Sequence, residues 1–437
     1  MNHENKVKKI SKQLKMRKSK KPLTFVKKAV SHQMPKFSKS QIGNSQNDIV
    51  NLRDLNEILK IDQKKKTCIA EPGVTFSDLV KETLKYNLVP YTVPELKDIT
   101  IGGVVSGCSV ESMSFKYGGF HDSCIEYEVI NAKGDILACS DKKNKKLFHI
   151  MHGTFGTLGI ITKLKFKLHP AKPYVHIINE KYKTLEAYKK GIQSHYTKKD
   201  CDFMDGIIHS KTSYILCIGS FTDTAPYTNK YDWMKIYYKS TFKRKEDYIK
   251  TYDYFFRYDS GCHWISRNYG LDNPILRFLF GKALLPSTKM LKLAKKLQFI
   301  FKHVKPDVVV DVFIPFSKMN DFFKFYNKKF NYYPLWIVPY HINKLYPWAN
   351  PQHFKNIKDK LLIDIAIYGM KQGKNNYYRM MEEHLLKLPG IKTLISHNYL
   401  SKKEFYKMWS KTNYEEIKNI TDPDNILRDM YTKTCGK

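Results

Sequence analysis

The sequence predicts an α+β fold in which strands dominate and helices are interspersed between them. Cys124 to Ile130 and Asp135 to Cys139 are strand-like and flank Asn131-Ala-Lys-Gly134, a typical hairpin turn. Apolar residues and lysines alternate over 163–168, as they do in a half-buried strand. Residues 75–84 instead place apolar side chains at helical spacing behind a threonine that can cap the helix. Strand and helix periodicities therefore occur together in the N-terminal region.

An N-terminal domain is predicted over residues 22–173, preceded by a basic tail over 1–21. The tail is rich in lysine and Glu4 is its only acid, so we expect it to be solvated and disordered. A lysine cluster of this kind can also contact an anionic membrane, which would make the protein peripheral. Within the domain, Cys68-Ile-Ala-Glu-Pro-Gly73 predicts a strand entering a turn, and Leu88 to Val93 predicts the strand after the helix.

Residues 174–437 are predicted to form a second α+β unit, a substrate or cap domain that packs closely against the first. The predicted strands and helices are mixed along the chain: strands at Tyr214 to Gly219, Val308 to Ile314, Leu335 to Val338 and Leu362 to Tyr368, and helices at Ser287 to Phe301, Asn375 to Lys387 and Lys402 to Ser410. An aromatic-rich run over 322–336 fits either core packing or the wall of a pocket for a flat apolar molecule.

The composition excludes several classes of protein. A chain of 437 residues is too long for a single small module. The formal charge of +35 suits a polyanionic ligand, and it also matches the lysine-rich composition that an AT-rich genome produces. No zinc finger, RNP aromatic pair or compact arginine stripe accompanies the lysines, so nucleic acid is not an expected partner.

The cysteines and the apolar segments give further expectations. The eight cysteines form no CxxC pair and no Cys/His cluster at zinc-ligand spacing, so no metal site is predicted. The sequence has no recognisable signal peptide or membrane-spanning segment. We therefore expect a cytoplasmic protein that is at most peripheral at a membrane, and the sequence predicts no oligomeric state.

Glycines cluster in two stretches, inside strand-like sequence. The first stretch, Pro94 to Phe120, contains Gly102, Gly103, Gly107, Gly118 and Gly119, and the second, His152 to Thr162, contains Gly153, Gly156 and Gly159. Glycine can adopt positive φ and lets backbone N–H groups converge on an anion. The second stretch is spaced G-x-x-G-x-x-G, which differs from the G-x-G-x-x-G of doubly wound NAD-binding folds. We therefore predict a phosphate-bearing cofactor held by loops, and not a tightly bound NAD.

These motifs resemble, in order and spacing, the FAD-binding domain of the vanillyl-alcohol oxidase family, the PCMH-type flavoproteins. The matching segments are Thr100-Ile-Gly-Gly103 with Gly107, Lys116-Tyr-Gly118, and Gly156-Thr-Leu-Gly-Ile-Ile-Thr162. The resemblance implies a PCMH-type domain of two α+β subdomains, then a cap domain whose C-terminal segment returns to the flavin. The cofactor is then FAD, and the FAD-binding residues implied are Lys28, Ser31, His32, Thr100, Ile101, Gly102, Gly103, Gly107, Cys108, Ser109, Ser112, Tyr117, Gly118, His121, Gly153, Thr154, Gly156, Gly159, Ile160 and Ile161.

Further segments are similar to the delta(24)-sterol reductases of this family. They are Pro94-Glu-Leu, Val110 to Gly118, Pro170 to Val175, Asn273 to Gly281 and Leu362 to Gly369. The similarity implies reduction of a carbon–carbon double bond in an apolar small molecule, with NADPH as a dissociable electron donor.

Two departures from those reductases stand out. The chain begins with a polar basic tail where eukaryotic sterol reductases carry a membrane segment. In addition, Lys27 to Pro35 replaces the usual arginine- and glycine-rich first pyrophosphate loop. Lys27, Lys28 and the Ser31 hydroxyl can supply charge and a donor there.

Hydride addition to an isolated alkene needs a proton for the second carbon, so a general acid must lie close by in a dry pocket. Tyr399 is the first candidate, His397 the second and Lys116 the third, and each also has a purely structural interpretation. Glu111 and Lys116 either contact the ring system or pair with each other across a turn. His32 lies where some family members attach FAD covalently; otherwise it is a loop histidine.

Two other functions are compatible with the sequence. One is an FAD-dependent oxidase or dehydrogenase of a hydroxylated small molecule, which a covalent link at His32 would favour. The other is a basic surface-binding protein that keeps the fold without activity.

Overall fold

The structure is a computed structural model that describes residues 1–28, 48–261, 264–268, 270–297 and 307–436. Its strands are β1 Leu23–Val26, β2 Asp48–Asn51, β3 Ile58–Asp62, β4 Thr67–Ala70, β5 Leu88–Pro90, β6 Cys124–Ile130, β7 Ile136–Ser140, β8 Ile160–Pro170, β9 Tyr174–Tyr182, β10 Phe203–Ser210, β11 Ser213–Thr222, β12 Glu246–Lys250, β13 Val308–Pro315, β14 Leu335–His341, β15 Leu361–Met370 and β16 Ile391–Lys392.

The helices lie between the strands and over the sheets. They are α1 His3–Lys15, α2 Phe76–Leu84, α3 Ile101–Gly107, α4 Ser114–Tyr117, α5 Lys145–Met151, α6 Leu185–Lys198, α7 Tyr237–Lys243, α8 Thr251–Phe255, α9 Ile265–Asn268, α10 Pro274–Leu284, α11 Ser287–Leu297, α12 Met319–Lys329, α13 Pro351–Phe354, α14 Tyr377–Lys387, α15 Lys402–Met408, α16 Lys411–Thr421 and α17 Met430–Cys435. The predicted α+β class is confirmed.

The strands form three sheets. β1 and β2 pair in parallel, β3-β4-β8-β6-β7 form a sheet that β5 extends through β8, and β12-β9-β11-β10-β14-β15-β13-β16 form an eight-stranded sheet. The predicted hairpin is present as β6 and β7, and the alternating run lies in β8, where Leu164, Phe166 and Leu168 are buried. The predicted helix is α2, capped by the Thr75 hydroxyl, which accepts from the Asp78 N–H.

The first helix differs from the solvated tail that the sequence predicts. α1 is capped by Asn2 and buries Val7, Ile10 and Leu14 against the domain. His3 also pairs with Glu71 at 2.8 Å. The three apolar residues share one face at helical spacing, and this face was obscured in the sequence by the many lysines of the opposite face.

The glycine-rich segment after Thr100 also differs, because it is helical instead of strand-like. α3 starts at the Thr100 cap, whose hydroxyl accepts from the Gly103 N–H, and stops at Cys108, which adopts the left-handed conformation at φ 56°. Val104 and Val105 are buried. Two glycines disfavour a helix by about 1 kcal/mol each, and the packing of this apolar face overrides that preference.

One face of the eight-stranded sheet bears the side chains that matter for the site. Phe313 of β13 pairs with Asp364 of β15, and Tyr340 of β14 pairs with Leu362 of β15. Directly paired residues point to the same side of a sheet, so aromatic, apolar and acidic side chains alternate across this face.

Along the part of the chain that is described, no helix combines the length and the apolar character needed to cross a bilayer.

Candidate functional site

Two cavities lie at opposite ends of α3. The first cavity is lined by Phe25, Lys27, Lys28, Leu52, Arg53, Pro72, Gly73, Thr100, Gly102, Gly103, Ser106, Gly156, Gly159, Ile160 and Ile161. The second cavity is lined by Gly107, Cys108, Val110, His121, Gly153, Phe155, Phe313, Tyr340, Trp348, Leu362, Ile391, Lys392, Thr393, Leu394 and Trp409. Because α3 contributes to both, one elongated ligand can follow this helix from one cavity into the other.

Many of the predicted cofactor-binding residues are brought together in this way. Lys28, Thr100, Gly102, Gly103, Gly156, Gly159, Ile160 and Ile161 meet at the first cavity, and Gly107, Cys108, His121 and Gly153 meet at the second. Residues that are tens of positions apart in the sequence thus line the same cavity.

Gly156 leaves open space at the main chain of the first cavity. Gly156 has φ +67°, and a Cβ built on it would meet no atom closer than the Gly159 carbonyl oxygen at 3.9 Å. Open space beside a left-handed glycine exposes the backbone to a ligand. A side chain at this position would project into that space.

Positive charge surrounds the first cavity. Lys27, Lys28 and Arg53 line it. Lys433 of α17 donates to the Phe155 carbonyl at 2.7 Å, beside Gly156, and its Nζ lies 5.8 Å from the Phe25 ring centroid. Burial and the neighbouring cations lower the pKa of Lys433 to about 7. An anion such as a diphosphate would compensate this concentration of charge.

The sequence reasoning missed Lys433. It lies in a short helix far along the chain from the glycine motifs, and nothing in its neighbours marks it as a ligand-binding residue. Only the return of α17 to the chain beside Gly156 reveals the contact.

The second cavity exposes polar atoms that lack partners. The buried ring nitrogens of His121 and the buried Nε1 of Trp348 have no hydrogen-bond partner among the described residues. Burial lowers the pKa of His121, so the imidazole is neutral. Unpaired buried donors and acceptors are costly, and a polar ring system placed in this cavity would satisfy them.

The residues present therefore fit FAD. The first cavity combines open backbone with positive charge, as a diphosphate requires, and the second combines apolar walls with unpartnered polar atoms, as a flavin ring requires.

Buried carboxyl groups lie next to the second cavity. Thr393 lines that cavity, and its Oγ1 is 3.5 Å from Asp311 Oδ2. Asp311 also accepts from the Tyr368 hydroxyl, and Asp364 lies opposite Phe313. Burial raises the pKa of Asp311 to about 6, and burial with repulsion from Asp311 and Glu95 raises that of Asp364 well above its usual range.

Glu95 belongs to the same group of acids. Burial, together with the charges of Asp311 and Glu111, raises its pKa to about 8. We call Glu95, Asp311 and Asp364 the acid cluster. The sequence reasoning missed all three. Asp311 and Asp364 are each the single acid of an apolar strand, Glu95 lies in the loop before α3, and the three meet only when β13, β15 and that loop pack together.

A buried arginine near this cluster joins the segment before α4 to the eight-stranded sheet. Arg257 donates to Glu111 Oε1 and to Asp205 Oδ2, each at 3.0 Å, with all three side chains buried. The Glu111 to Lys116 pairing considered from the sequence does not form. Lys116 instead lies 3.9 Å from Asp202.

Several predicted residues lie outside the linings of both cavities. Ile101 is buried core, Ser109 accepts from the Phe120 N–H, Ser112 accepts from Tyr254, Tyr117 bonds to His169, the Gly118 carbonyl accepts from Thr92, and Thr154 donates to Met151. Ser31 and His32 lie outside the described residues.

The predicted catalytic residues Tyr399 and His397 also lie outside the lining of the second cavity. They are linked to it through Lys392, which lines it. The Tyr399 N–H donates to Glu382 at 3.0 Å, and the His397 carbonyl accepts from Lys392. Lys392 lines the cavity and pairs with Glu382 at 2.6 Å. These residues therefore position Lys392.

Comparison with known proteins supports the same assignment. A model of the FAD binding domain matches residues 36–140. The chain is 27% identical to the delta(24)-sterol reductase of Homo sapiens, over 99% of this chain and 86% of that protein. It is 25% identical to a delta(24)-sterol reductase homologue of Caenorhabditis elegans, over 87% of this chain and 78% of that one.

A further relative shares only part of the chain. Cytokinin dehydrogenase 1 of Arabidopsis thaliana is 30% identical over 31% of this chain and 24% of its own length. With the two cavities joined by α3, these similarities show that the chain carries a PCMH-type FAD-binding domain, as oxidoreductases of this type do, and that it is similar to delta(24)-sterol reductases along nearly its whole length.

Proposed function

We propose that this protein reduces a carbon–carbon double bond in an apolar, sterol-like molecule, with FAD as cofactor and NADPH as electron donor. The observation that carries the proposal is the acid cluster beside the second cavity, because its carboxyl groups have raised pKa values and can stay protonated. The similarity to proteins named delta(24)-sterol reductase supports the substrate class.

FAD, when bound, would supply the transfer of one hydride, which carries two electrons, from NADPH to the alkene. The protein's own part is to hold the cofactor and to shape the reaction space. Lys27, Lys28 and Lys433 are suited to hold the diphosphate, and the open backbone at Gly156 lets it approach. His121 and Trp348 offer hydrogen bonds to the ring system.

The apolar part of the second cavity is suited to the substrate. Val110, Phe313, Leu362, Ile391 and Leu394 line it and would exclude water from a hydrocarbon skeleton. Apolar burial contributes roughly 25 cal/mol per Å2, so a molecule with one hydroxyl gains most of its affinity this way.

Asp364 is the proton donor that this arrangement favours. One of its carboxyl oxygens has no hydrogen-bond partner among the described residues, and its strand partner Phe313 lines the second cavity. After hydride adds to one alkene carbon, the Asp364 carboxyl gives its proton to the other carbon. The resulting carboxylate then regains a proton from solvent.

The remaining sequence-based candidates take a supporting role in this proposal. Tyr399 and His397 would orient Lys392 through Glu382 and the main chain, and Lys392 would hold a polar group of the cofactor or substrate. Lys116 faces Asp202 and has no direct part.

The proposal is tested by rapid mixing of the reduced enzyme with a delta(24)-sterol. We expect Asp364→Asn to leave anaerobic flavin reduction by NADPH intact and to slow reoxidation by the sterol at least about a hundredfold, since general acids contribute factors of this size. Asp247→Asn, a buried acid bonded to Asn229 and Tyr231, is the matched control and should keep the sterol reaction. An unchanged rate in Asp364→Asn overturns the assignment of the donor.

The pH dependence gives a second readout. The donor must be protonated, so sterol-dependent reoxidation should fall as the pH rises through the pKa of Asp364. The Asp311 charge raises that pKa, so Asp311→Asn should move the alkaline decline to lower pH. An enzyme that ignores NADPH and makes peroxide from a hydroxylated substrate would instead be an alcohol oxidase.

A further inference from the structure

The helix α10 exposes an almost wholly apolar face. Ile275, Phe278 and Leu279 are 69%, 67% and 62% exposed, and Leu276 and Phe280 beside them are also exposed. Single exposed apolar residues are normal on a protein surface, whereas a contiguous group of five on one helix marks a contact with something apolar.

The opposite face of α10 fixes this orientation. Arg277 is buried and donates to the Trp233 carbonyl at 2.7 Å and to the Leu271 carbonyl at 3.1 Å. Gly281 packs against Trp233, where a Cβ would lie 3.2 Å from the indole ring. Arg277 and Gly281 are four residues apart and lie on the side away from Ile275, Phe278 and Leu279. The helix is therefore held with its apolar face outward.

Positive charge accompanies the apolar face. Lys282 follows one turn after Phe278, and α11 exposes Lys289, Lys292 and the apolar Leu293. Residues 273–297 contain no acid and six lysines or arginines. We call the exposed residues of α10 and α11 the α10 surface.

We propose that the α10 surface docks in the plane of an anionic lipid bilayer. A helix with bulky apolar residues on one face and lysines at the margin suits the boundary between headgroups and acyl chains. Each lysine near such a surface contributes about 1 kcal/mol. A second copy of this chain fits less well, because two surfaces of the same sign on chains of charge +35 repel each other.

The α10 surface is a different candidate for membrane contact from the basic N-terminal tail that the sequence suggested. The apolar residues of α1 are already buried in the protein, so α1 has no apolar face left for a bilayer. The buried side of α11 contacts the loop that carries Glu95. Leu96 packs on Met290 of α11, one residue from Glu95 of the acid cluster.

Vesicle sedimentation tests the proposal. The full protein is mixed at 0.15 M salt with vesicles of phosphatidylcholine alone or with phosphatidylserine added at about one third. We expect binding to the anionic vesicles only. An apolar triple variant, with Ile275→Ser, Phe278→Ser and Leu279→Ser, should bind these vesicles at least tenfold more weakly. A charge triple variant, with Lys282→Gln, Lys289→Gln and Lys292→Gln, should also bind more weakly, and its binding should depend less on salt concentration.

The matched control removes the same number of exposed apolar side chains elsewhere. The control triple variant combines Ile178→Ser, Phe242→Ser and Ile420→Ser, which also remove exposed apolar side chains. It should bind anionic vesicles like the unaltered protein. Circular dichroism and thermal unfolding, which do not depend on bound FAD, should match in all variants because every altered side chain is exposed. The proposal is overturned if the α10 triple variant binds vesicles as well as the control triple. It is also overturned if the unaltered protein ignores anionic vesicles, or if the α10 variant converts a dimer in solution into a monomer.

Discussion

At the scale of single residues, Gly156 controls access of a ligand to the backbone of the first cavity. We predict that Gly156→Ala weakens FAD binding at least tenfold, because the new methyl group projects into the space where the cofactor would lie. Protein stability should fall by only about 1 kcal/mol, the cost of a side chain at positive φ. Flavin fluorescence titration and thermal unfolding measure the two effects.

Gly373 offers a matched control for this substitution. It also has positive φ, and a Cβ there would meet nothing within 4 Å, but it lies outside the lining of both cavities. Gly373→Ala should cost similar stability and leave FAD affinity unchanged. Equal affinities for the two variants would contradict the placement of FAD in the first cavity.

The lowered pKa of Lys433 predicts that cofactor binding depends on pH. Its pKa of about 7 in the protein alone means that it is neutral above that pH and charged below it. A bound diphosphate favours the charged form, so binding takes up a proton and FAD affinity should fall as the pH rises from 6 to 8.5. The measurement is a titration of flavin-free protein at several pH values.

Lys433→Gln should weaken FAD binding about ten- to a hundredfold at pH 6, the size of a lost charge-assisted hydrogen bond. The pH dependence should flatten in the same variant. The exposed Lys402→Gln serves as control and should behave like the unaltered protein. A Lys433→Gln variant with the full pH dependence would assign that dependence to another group.

The glycine loops of the site were predictable from sequence, whereas its charged groups were not. Gly102, Gly156 and Gly159 carry a local signal, because their spacing reports a backbone requirement that other residues cannot meet. Asp311, Asp364 and Lys433 carry none. Each is chemically unremarkable within its own segment, and its role arises from tertiary contacts that raise or lower its pKa.

At the scale of elements, α1 packs as part of the N-terminal domain. We predict that Ile10→Ser lowers the free energy of unfolding by about 2–4 kcal/mol, because it leaves a cavity and buries a hydroxyl in the cluster with Val7 and Leu14. Urea unfolding of the full chain measures this loss. Lys9→Ser, on the exposed side, should change stability by less than about 0.5 kcal/mol. Similar values for both variants would mean that α1 is not docked.

Elements with a clear hydrophobic periodicity or turn motif were predicted from the sequence. Elements whose composition hides the periodicity or disfavours the structure were not. The β6–β7 hairpin and β8 follow directly from a turn signal and an alternating pattern. α1 was missed because lysines dominate its composition, although its apolar residues recur at helical spacing. α3 was missed because glycine lowers helix propensity, and only its burial against the domain compensates for that.

At the scale of the whole molecule, Arg257 ties the segment before α4 to the eight-stranded sheet. It bonds Glu111, which precedes α4, and Asp205 of β10 in that sheet. We predict that Arg257→Met costs about 3–5 kcal/mol at neutral pH, because two buried carboxylates lose their partner. The cost should shrink as the pH falls, because burial raises the pKa of Glu111 and favours its neutral form. Chemical unfolding at two pH values measures it.

Arg379→Met is the matched control for that experiment. Arg379 also pairs with two acids, Glu383 and Glu404, but it is partly exposed. Ion pairs of this kind contribute about 1 kcal/mol or less. If both variants lost the same stability, the buried ion pairs of Arg257 would contribute no more than partly exposed ones.

The contact between Lys433 and the Phe155 carbonyl has a consequence for biosynthesis. Lys28 is translated early, whereas Lys433 follows only after every strand of the eight-stranded sheet has been translated. The cations at and beside the first cavity thus come from segments far apart in the sequence, and a nascent chain lacks the later one. Flavin loading should accordingly be a late event in maturation that reports a finished fold.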